Sequence, residues 1–286
     1  MKKKLIFHIG HSAGFYSEFN NMVLAILYCR RHNIDFEIYS HDANFGYEKG
    51  WDDFFLPFCK KTKWNGHHYI NKRYDNPKGG KRKLLMDFYK FLHPHTYLTP
   101  DLWNDFRHID QTEMNTKEVR DAVKPIVNEI YRFNRQTQAE IEDLMNSINI
   151  DGPYIGFHIR GGDKTAEHDI LNVEQYISKA EKQSGIRTAF VYTDDYDFIT
   201  LLNHKYPDWK IYTLTSEDEH GYYHQKFLKL SPAEKRNNLL KMFASMEYLR
   251  KSEYAFCTFS SNPGMFLGMC MGDKAIGVDF DNWRIW

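Results

Sequence analysis

The chain has 286 residues, 42% of them hydrophobic and 27% charged, so a globular protein with a sizeable core is expected and a disordered chain is not. Its 38 acidic and 38 basic residues cancel, which argues against a general nucleic-acid binder. The four cysteines, Cys29, Cys59, Cys257 and Cys270, lack CxxC spacing, which points to reduced thiols and no zinc site.

The first residues, Met1-Lys-Lys-Lys-Leu-Ile-Phe7, have the charge of a signal n-region. Their apolar run ends at His8, short of a signal core or a membrane span. A cytoplasmic protein is expected, with peripheral contact at the membrane surface. Leu5 to Ile9 predicts a strand and Gly10-His-Ser-Ala-Gly14 a tight loop. Phe19, Met22, Val23, Ile26 and Leu27 recur at helical spacing, with Ser17 as N-cap and His32-Asn33 as the end. Asp35 to Ser40 predicts a second strand, so a β-α-β unit opens a parallel sheet. The glycine loop would either point N–H groups at an anion or simply connect.

Gly50-Trp-Asp-Asp-Phe-Phe-Leu-Pro57 predicts an amphipathic turn against the sheet. Pro77-Lys-Gly-Gly-Lys-Arg-Lys83 is a basic loop, either solvated or holding an anionic acceptor or a lipid headgroup. Leu84 to Leu92 predicts a helix stopped by Pro94, and Thr116 to Ile148 a long helical region that Pro125 kinks or divides. Gly152-Pro153 marks the expected domain boundary, giving an N-terminal α/β domain over 1–150 and a second over 151–286.

After that boundary the α/β alternation restarts. Strands are expected at Tyr154–Ile159, Thr188–Tyr192, Trp209–Leu214, Tyr254–Phe259 and Ile276–Phe280. Helices are expected from Asn172, over Phe198–His204, over Ala233–Lys251 and over Met265–Met271. Ser216 to Leu230 reads as a mobile loop, and its His220-Gly-Tyr-Tyr-His224 is a weak metal motif. The strand Tyr154–Ile159 ends in a charged glycine loop with Arg160, Asp163, Lys164 and Glu167. Thr193-Asp-Asp195 and Ser260-Ser261 close two other strands. In a parallel sheet these ends converge on one crevice, where ligands bind. Arg160 and Lys164 there suit a diphosphate, because one offers a planar fork of donors and the other a compact charge. Ser260 and Ser261, just before a helix, would donate hydroxyl and N–H bonds to a phosphate. A mutually neutralised surface loop is the competing reading.

His158-Ile-Arg-Gly-Gly-Asp-Lys164, Thr193-Asp-Asp195 and Cys257-Thr-Phe-Ser-Ser261 resemble the three motifs of the GDP-fucose-dependent fucosyltransferase superfamily, with the closest match to the α1,6-fucosyltransferases. Gly14-Phe-Tyr-Ser-Glu-Phe-Asn-Asn21 and Gly50 to Pro57 resemble segments of that group's first half. The resemblance implies a GT-B-like architecture of two Rossmann-type α/β domains facing a cleft. It implies inverting transfer from GDP-β-L-fucose to an oligosaccharide or lipid-linked glycan, with no cofactor and no metal. Residue by residue, it implies that Arg160 binds the β-phosphate, His158 helps hold the nucleotide and Lys164 assists the departing diphosphate. Ser260 and Ser261 would contact phosphates, Asp194 would lie near the nucleoside, and the loop at Gly14 and Phe15 would close over GDP.

The chain departs from that pattern in places. Arg160 is followed by Gly161 where the core enzyme of the group has a second arginine. The position of its acidic guanine reader falls at about Ser245, with Glu247 as the neighbouring carboxylate. An inverting transferase also needs a base for the acceptor hydroxyl. Glu167, Asp163 and Asp169 are the carboxylates beside the cations, and Glu167 is favoured because it lies beyond them. Another GDP- or UDP-sugar as donor, or a non-catalytic nucleotide- or glycan-binding protein, are the alternatives.

Overall fold

The structure, a computed structural model, describes residues 2–10, 13–72, 79–161 and 172–285. The chain divides into two compact units, Met1–Asn134 and Arg135–Ile285.

The first unit contains β1 (Lys4–His8), α1 (Phe15–Arg31), β2 (Asp35–Tyr39), a 3-10 turn (Gly50–Asp53), β3 (Lys60–Lys61), α2 (His67–Ile70), α3 (Gly80–Leu92), β4 (Thr96–Leu98), α4 (Thr99–Arg107), α5 (Ile109–Thr112) and α6 (Thr116–Ile130). Its strands pair in parallel in the order β3-β2-β1-β4. Helix α1 starts earlier than its periodicity suggests. Gly14, not Ser17, precedes its first turn, because Glu18 is fully buried and holds the loop against the helix. The Glu18 carboxylate accepts the N–H groups of Gly10 and Ala13, each at 3.1 Å. Those loop donors therefore face a carboxylate of the protein itself rather than an anionic ligand. The turn at 50–57 packs as expected: Trp51, Phe54 and Phe55 are fully buried, and Asp53 caps the turn by accepting from Tyr47, Lys49 and Gly50 N–H. Pro125 sits inside α6 without dividing it. The break comes at 131–134, where Phe133 bridges to Phe55 and stacks on it at 5.1 Å.

The second unit contains α7 (Arg135–Asn146), β5 (Ile155–Ile159), α8 (Val173–Gln183), β6 (Thr188–Thr193), α9 (Asp197–Lys205), β7 (Lys210–Tyr212), α10 (His224–Phe227), α11 (Pro232–Lys251), β8 (Ala255–Cys257), α12 (Asn262–Met271) and β9 (Ala275–Gly277). Its all-parallel sheet runs β7-β6-β5-β8-β9. Helix α7, which precedes the Gly152-Pro153 turn, packs with this unit. Arg236 of α11 is ion-paired with its Glu140, and the Tyr248 hydroxyl donates to the Ile148 carbonyl at 3.1 Å. Every residue of β5 is buried, as expected for a strand covered on both faces. Ile155, Phe157 and Ile159 pack with Val173, Tyr176 and Ile177 of α8. On the other face Gly156 leaves room for Leu249 of α11, whose side chain lies 2.5 Å from where a Cβ would stand. Ser231 caps α11 and Glu234 completes the capping box, so this helix boundary is written locally.

Candidate active site

The carboxyl edge of the second sheet collects the predicted residues through its register. Ile159 of β5 pairs with Thr193 of β6, so Arg160 and Asp194 emerge side by side. Arg160 and Asp194 form an ion pair, with side chains only 15% and 13% exposed. Asp194 also accepts the N–H of Gly161 at 2.8 Å and of Tyr222 at 2.9 Å. The Arg160 guanidinium lies 5.3 Å from the Tyr222 ring centroid, within cation–π range. Arginine carries its N–H donors in a rigid planar fork, so pairing with Asp194 fixes the orientation of the whole guanidinium.

His158, one position inside the strand, is buried, and its Nδ1 has no hydrogen-bond partner among the described residues. Burial first, and the neighbouring Arg160 charge second, lower its pKa to about 3. A neutral imidazole is therefore held beneath the charged edge, able to donate or accept. Its main-chain carbonyl accepts the hydroxyls of Tyr176 at 3.1 Å and Thr258 at 3.2 Å, which ties β5 to α8 and to the end of β8.

The two serines play different parts. Ser261 caps α12: its hydroxyl donates to the Thr258 carbonyl at 2.9 Å and accepts the Gly264 N–H at 3.4 Å. Its own N–H donates to the Thr258 carbonyl at 3.2 Å. The hydroxyl expected to meet a phosphate is thus engaged in the helix start. The Ser260 N–H, also expected there, donates to Asp279 at 2.7 Å, as does that of Phe259. The Ser260 hydroxyl makes no hydrogen bond among the described residues. Gly264 is required by close approach, since a Cβ there would stand 2.0 Å from the Thr258 carbonyl oxygen.

Lys164 and Glu167, with Asp163 and Asp169, lie outside the described residues. Gly14 and Phe15 belong to the first unit, where Gly14 is the N-cap of α1. The Phe15 ring is buried, 5.4 Å from Phe55 in a stacked pair and 5.2 Å from Phe45, so it is a core side chain.

Two contributors to this site escaped sequence reasoning. Tyr222 sits in the stretch read as a mobile loop, but the structure pins that stretch: Asp195 and His220 form a bridge, and the Gly221 N–H donates to the Asp194 carbonyl at 2.7 Å. Gly221 has φ of 86°, which only glycine adopts cheaply, and this turns the loop back onto Asp194. Asp279, just after the last strand, anchors the serine loop. In the first unit, separately, the His8 Nε2 lies 2.9 Å from Asp42 at the carboxyl edge of that sheet, and His68 pairs with the other carboxylate oxygen. Desolvation pushes the Asp42 carboxyl up, but hydrogen bonds and charge from both histidines prevail and hold it at about 2. Among the described residues Asp195, Asp197 and His220 form the group that offers metal-ligand atoms within 4.8 Å of one another. Asp194, tied to Arg160, stands outside that group.

The buried histidines predict a pH dependence of stability. His67 is fully buried among Tyr39, Trp64 and Tyr89, with neither ring nitrogen hydrogen-bonded, and burial lowers its pKa to about 4. His67 and His158 stay neutral in the fold while the unfolded chain protonates both below about 6.5. Stability is therefore expected to fall as pH drops from about 6.5 towards 4, by on the order of 1 kcal/mol per pH unit for each histidine. Urea unfolding at pH 7 and pH 5 measures it. His67→Phe should flatten the slope, and an unchanged slope would count against a neutral buried ring.

Residues 3–263 match the family model described as the α-(1,6)-fucosyltransferase N- and catalytic domains. Among solved structures the chain is similar to the NodZ α-1,6-fucosyltransferase soaked with GDP-fucose, NodZ being an enzyme from Bradyrhizobium. The match has a TM-score of 0.57 at 13% identity and covers 94% of this chain and 92% of that one. It is also similar to FUT1 of Arabidopsis thaliana in complex with GDP, with a TM-score of 0.53 at 12% identity over 95% and 69% of the two chains. POFUT1 in complex with GDP-fucose gives 0.52 at 10% identity over 96% of each chain. At these identities the likeness is one of fold: two α/β units, each with a parallel sheet, in the GT-B manner.

Proposed function

The chain belongs to the α1,6-fucosyltransferase family and is a fucosyltransferase drawing on GDP-fucose, and from that premise we propose an inverting transfer to an acceptor hydroxyl in which Arg160 is the central donor-site residue. The observation that carries the assignment is Arg160 itself, fixed at the carboxyl end of β5 by Asp194 and covered by Tyr222. A guanidinium held in one place costs no reorganisation when the leaving diphosphate develops charge.

The step is a displacement at the anomeric carbon. The acceptor oxygen forms the new glycosidic bond and gives its proton to Glu167. The bond from the sugar to the β-phosphate breaks, and GDP leaves with the electron pair. Arg160 and Lys164 neutralise that charge, so transfer proceeds without a metal. His158 offers its unpartnered Nδ1 to the nucleotide and the Ser260 hydroxyl meets a phosphate, with Ser261 and Asp279 setting the loop. Asp194 aims Arg160 at the nucleotide side of the site. The second unit holds the nucleotide sugar, and the first serves the acceptor side. The acceptor is an oligosaccharide or a lipid-linked glycan.

Another GDP- or UDP-sugar is a second reading, favoured by one observation. Ser245 is buried on α11, and Glu247 is ion-paired with Arg250 at 2.6 Å, so neither repeats the family's acidic base reader. Thermal shift separates the two: GDP should stabilise the fold by RT ln(1 + [L]/Kd) and so raise the melting temperature more than UDP does. GDP-fucose should be consumed with acceptor glycans in the presence of EDTA. Equal shifts by GDP and UDP would remove the guanine claim, and activity lost to EDTA and restored by Mg²⁺ would give Asp195, Asp197 and His220 a part in catalysis.

A further inference from the structure

Helix α3 has two apolar faces, and the fold uses one of them. Met86 is buried, and Leu85 and Tyr89 pack with it against Ile70 and Leu98. Leu84, Phe88, Phe91 and Leu92 lie on a different arc of the same helix, spaced i, i+4, i+7 and i+8. They are 73%, 57%, 80% and 55% exposed, which places four of the chain's large exposed hydrophobic side chains on one 13-residue helix. Trp64 and Tyr69, themselves 43% and 45% exposed, lie beside the helix: Trp64 stacks on Tyr89 at 4.9 Å and the Tyr69 carbonyl accepts from Arg82 at 2.7 Å. Single exposed apolar residues are ordinary, but a contiguous set marks an interaction face.

The charge around the patch selects the partner. The helix carries Lys81, Arg82, Lys83 and Lys90 against the one carboxylate of Asp87, an excess of three positive charges in a chain whose total is zero. Lys83 and Lys90 are already paired with Asp87 and Asp101, so their stems lie along the helix flanks. A second copy of the chain would set this basic face against itself and is disfavoured by like charge. Among the described residues the apolar side chains project from a helix already docked on its other face through Met86, Leu85 and Tyr89. We infer that α3 is a membrane-docking helix that lies in the interface plane of an anionic phospholipid bilayer, with Leu84, Phe88, Phe91 and Leu92 in the acyl boundary and the basic side chains on the headgroups. Among the described residues no helix is long and apolar enough to cross a membrane, so this is surface attachment. The inference does not rest on the transfer reaction, although it would bring the enzyme to the surface where a lipid-linked acceptor is displayed.

The test is sedimentation of the full chain with vesicles, without donor or acceptor. Binding to phosphatidylcholine vesicles containing about one third phosphatidylglycerol should exceed binding to phosphatidylcholine alone at least tenfold and weaken with salt, because the headgroup term is screened. The Phe88→Ser/Phe91→Ser variant should lose at least tenfold in binding at an unchanged melting temperature, since both rings already face solvent. Lys81→Glu should weaken binding with the apolar face intact. Failure of the parent to bind, equal binding to both vesicles, or full binding by the double variant would overturn the proposal. So would a parent that dimerises, or captures an acidic protein, through this face while ignoring vesicles.

Discussion

Arg160→Ala is expected to lower kcat by about 10²–10³, the effect of losing one preorganised donor to developing charge. It should also weaken GDP binding by on the order of 1.5–3 kcal/mol, the worth of a hydrogen bond to a charged group. The size follows from how the residue is held. The register of β5 on β6 brings Arg160 beside Asp194, and Asp194 is fixed by two main-chain N–H groups. Removing the guanidinium leaves a largely buried carboxylate without its cation, so the variant should also lose stability. Arg160→Lys separates the two effects: it keeps the charge and loses the planar fork, so stability should partly return while transfer stays low. Asp194→Asn should damage transfer through misplacement of Arg160, and the double variant should be less damaged than the sum of the singles predicts. GDP binding by Arg160→Ala equal to the parent's would remove the diphosphate assignment.

Glu167→Gln is expected to lower kcat by roughly 10²–10⁴, the usual contribution of a general base, with GDP affinity close to the parent. The amide keeps the size and much of the hydrogen bonding but takes no proton at neutral pH. As the proposed general base Glu167 would act on the acceptor proton alone, so donor binding is the readout that a wider disruption would move. Asp163→Asn and Asp169→Asn are the comparison. A dead but well-folded Asp163→Asn or Asp169→Asn beside a working Glu167→Gln would move the base to that carboxylate. If Glu167 served only to pair with Lys164, activity lost by Glu167→Gln should track a fall in melting temperature.

Much of the fold was legible because it is written in contiguous residues. The strands at 155–159 and 188–193 are short runs dominated by β-branched and aromatic residues, the pattern of strands buried in a parallel sheet. Helix α11 announces its own start through Ser231, Pro232 and Glu234. The alternation of such elements determines a parallel sheet, and the parallel sheet determines that Arg160, Asp194 and Ser260 leave strands on one edge. Elements that depend on neighbours were not legible. Strands β3 and β4 have two and three residues, too few for a periodicity, and exist because β2 and β1 offer them an edge. The start of α1 lies beyond local rules because Glu18, an acidic residue with no local reason to be buried, is drawn inward by the Gly10 and Ala13 N–H groups.

What most polar groups at the site touch was decided by tertiary structure. Arg160 meets Asp194 across 34 positions, Asp279 holds the Ser260 N–H across 19, and His8 meets Asp42 across 34. No local rule relates residues that far apart; sheet register and the returning loop at Gly221 do. Of the two adjacent serines, Ser261 is held by its own helix start, whereas the Ser260 N–H is held by the distant Asp279. The outward face of α3 belongs to the same class. Its apolar residues were legible as a helix, but which of them the core would take depended on the packing of Ile70 and Leu98 against Met86, and only that packing left Leu84, Phe88, Phe91 and Leu92 to the outside.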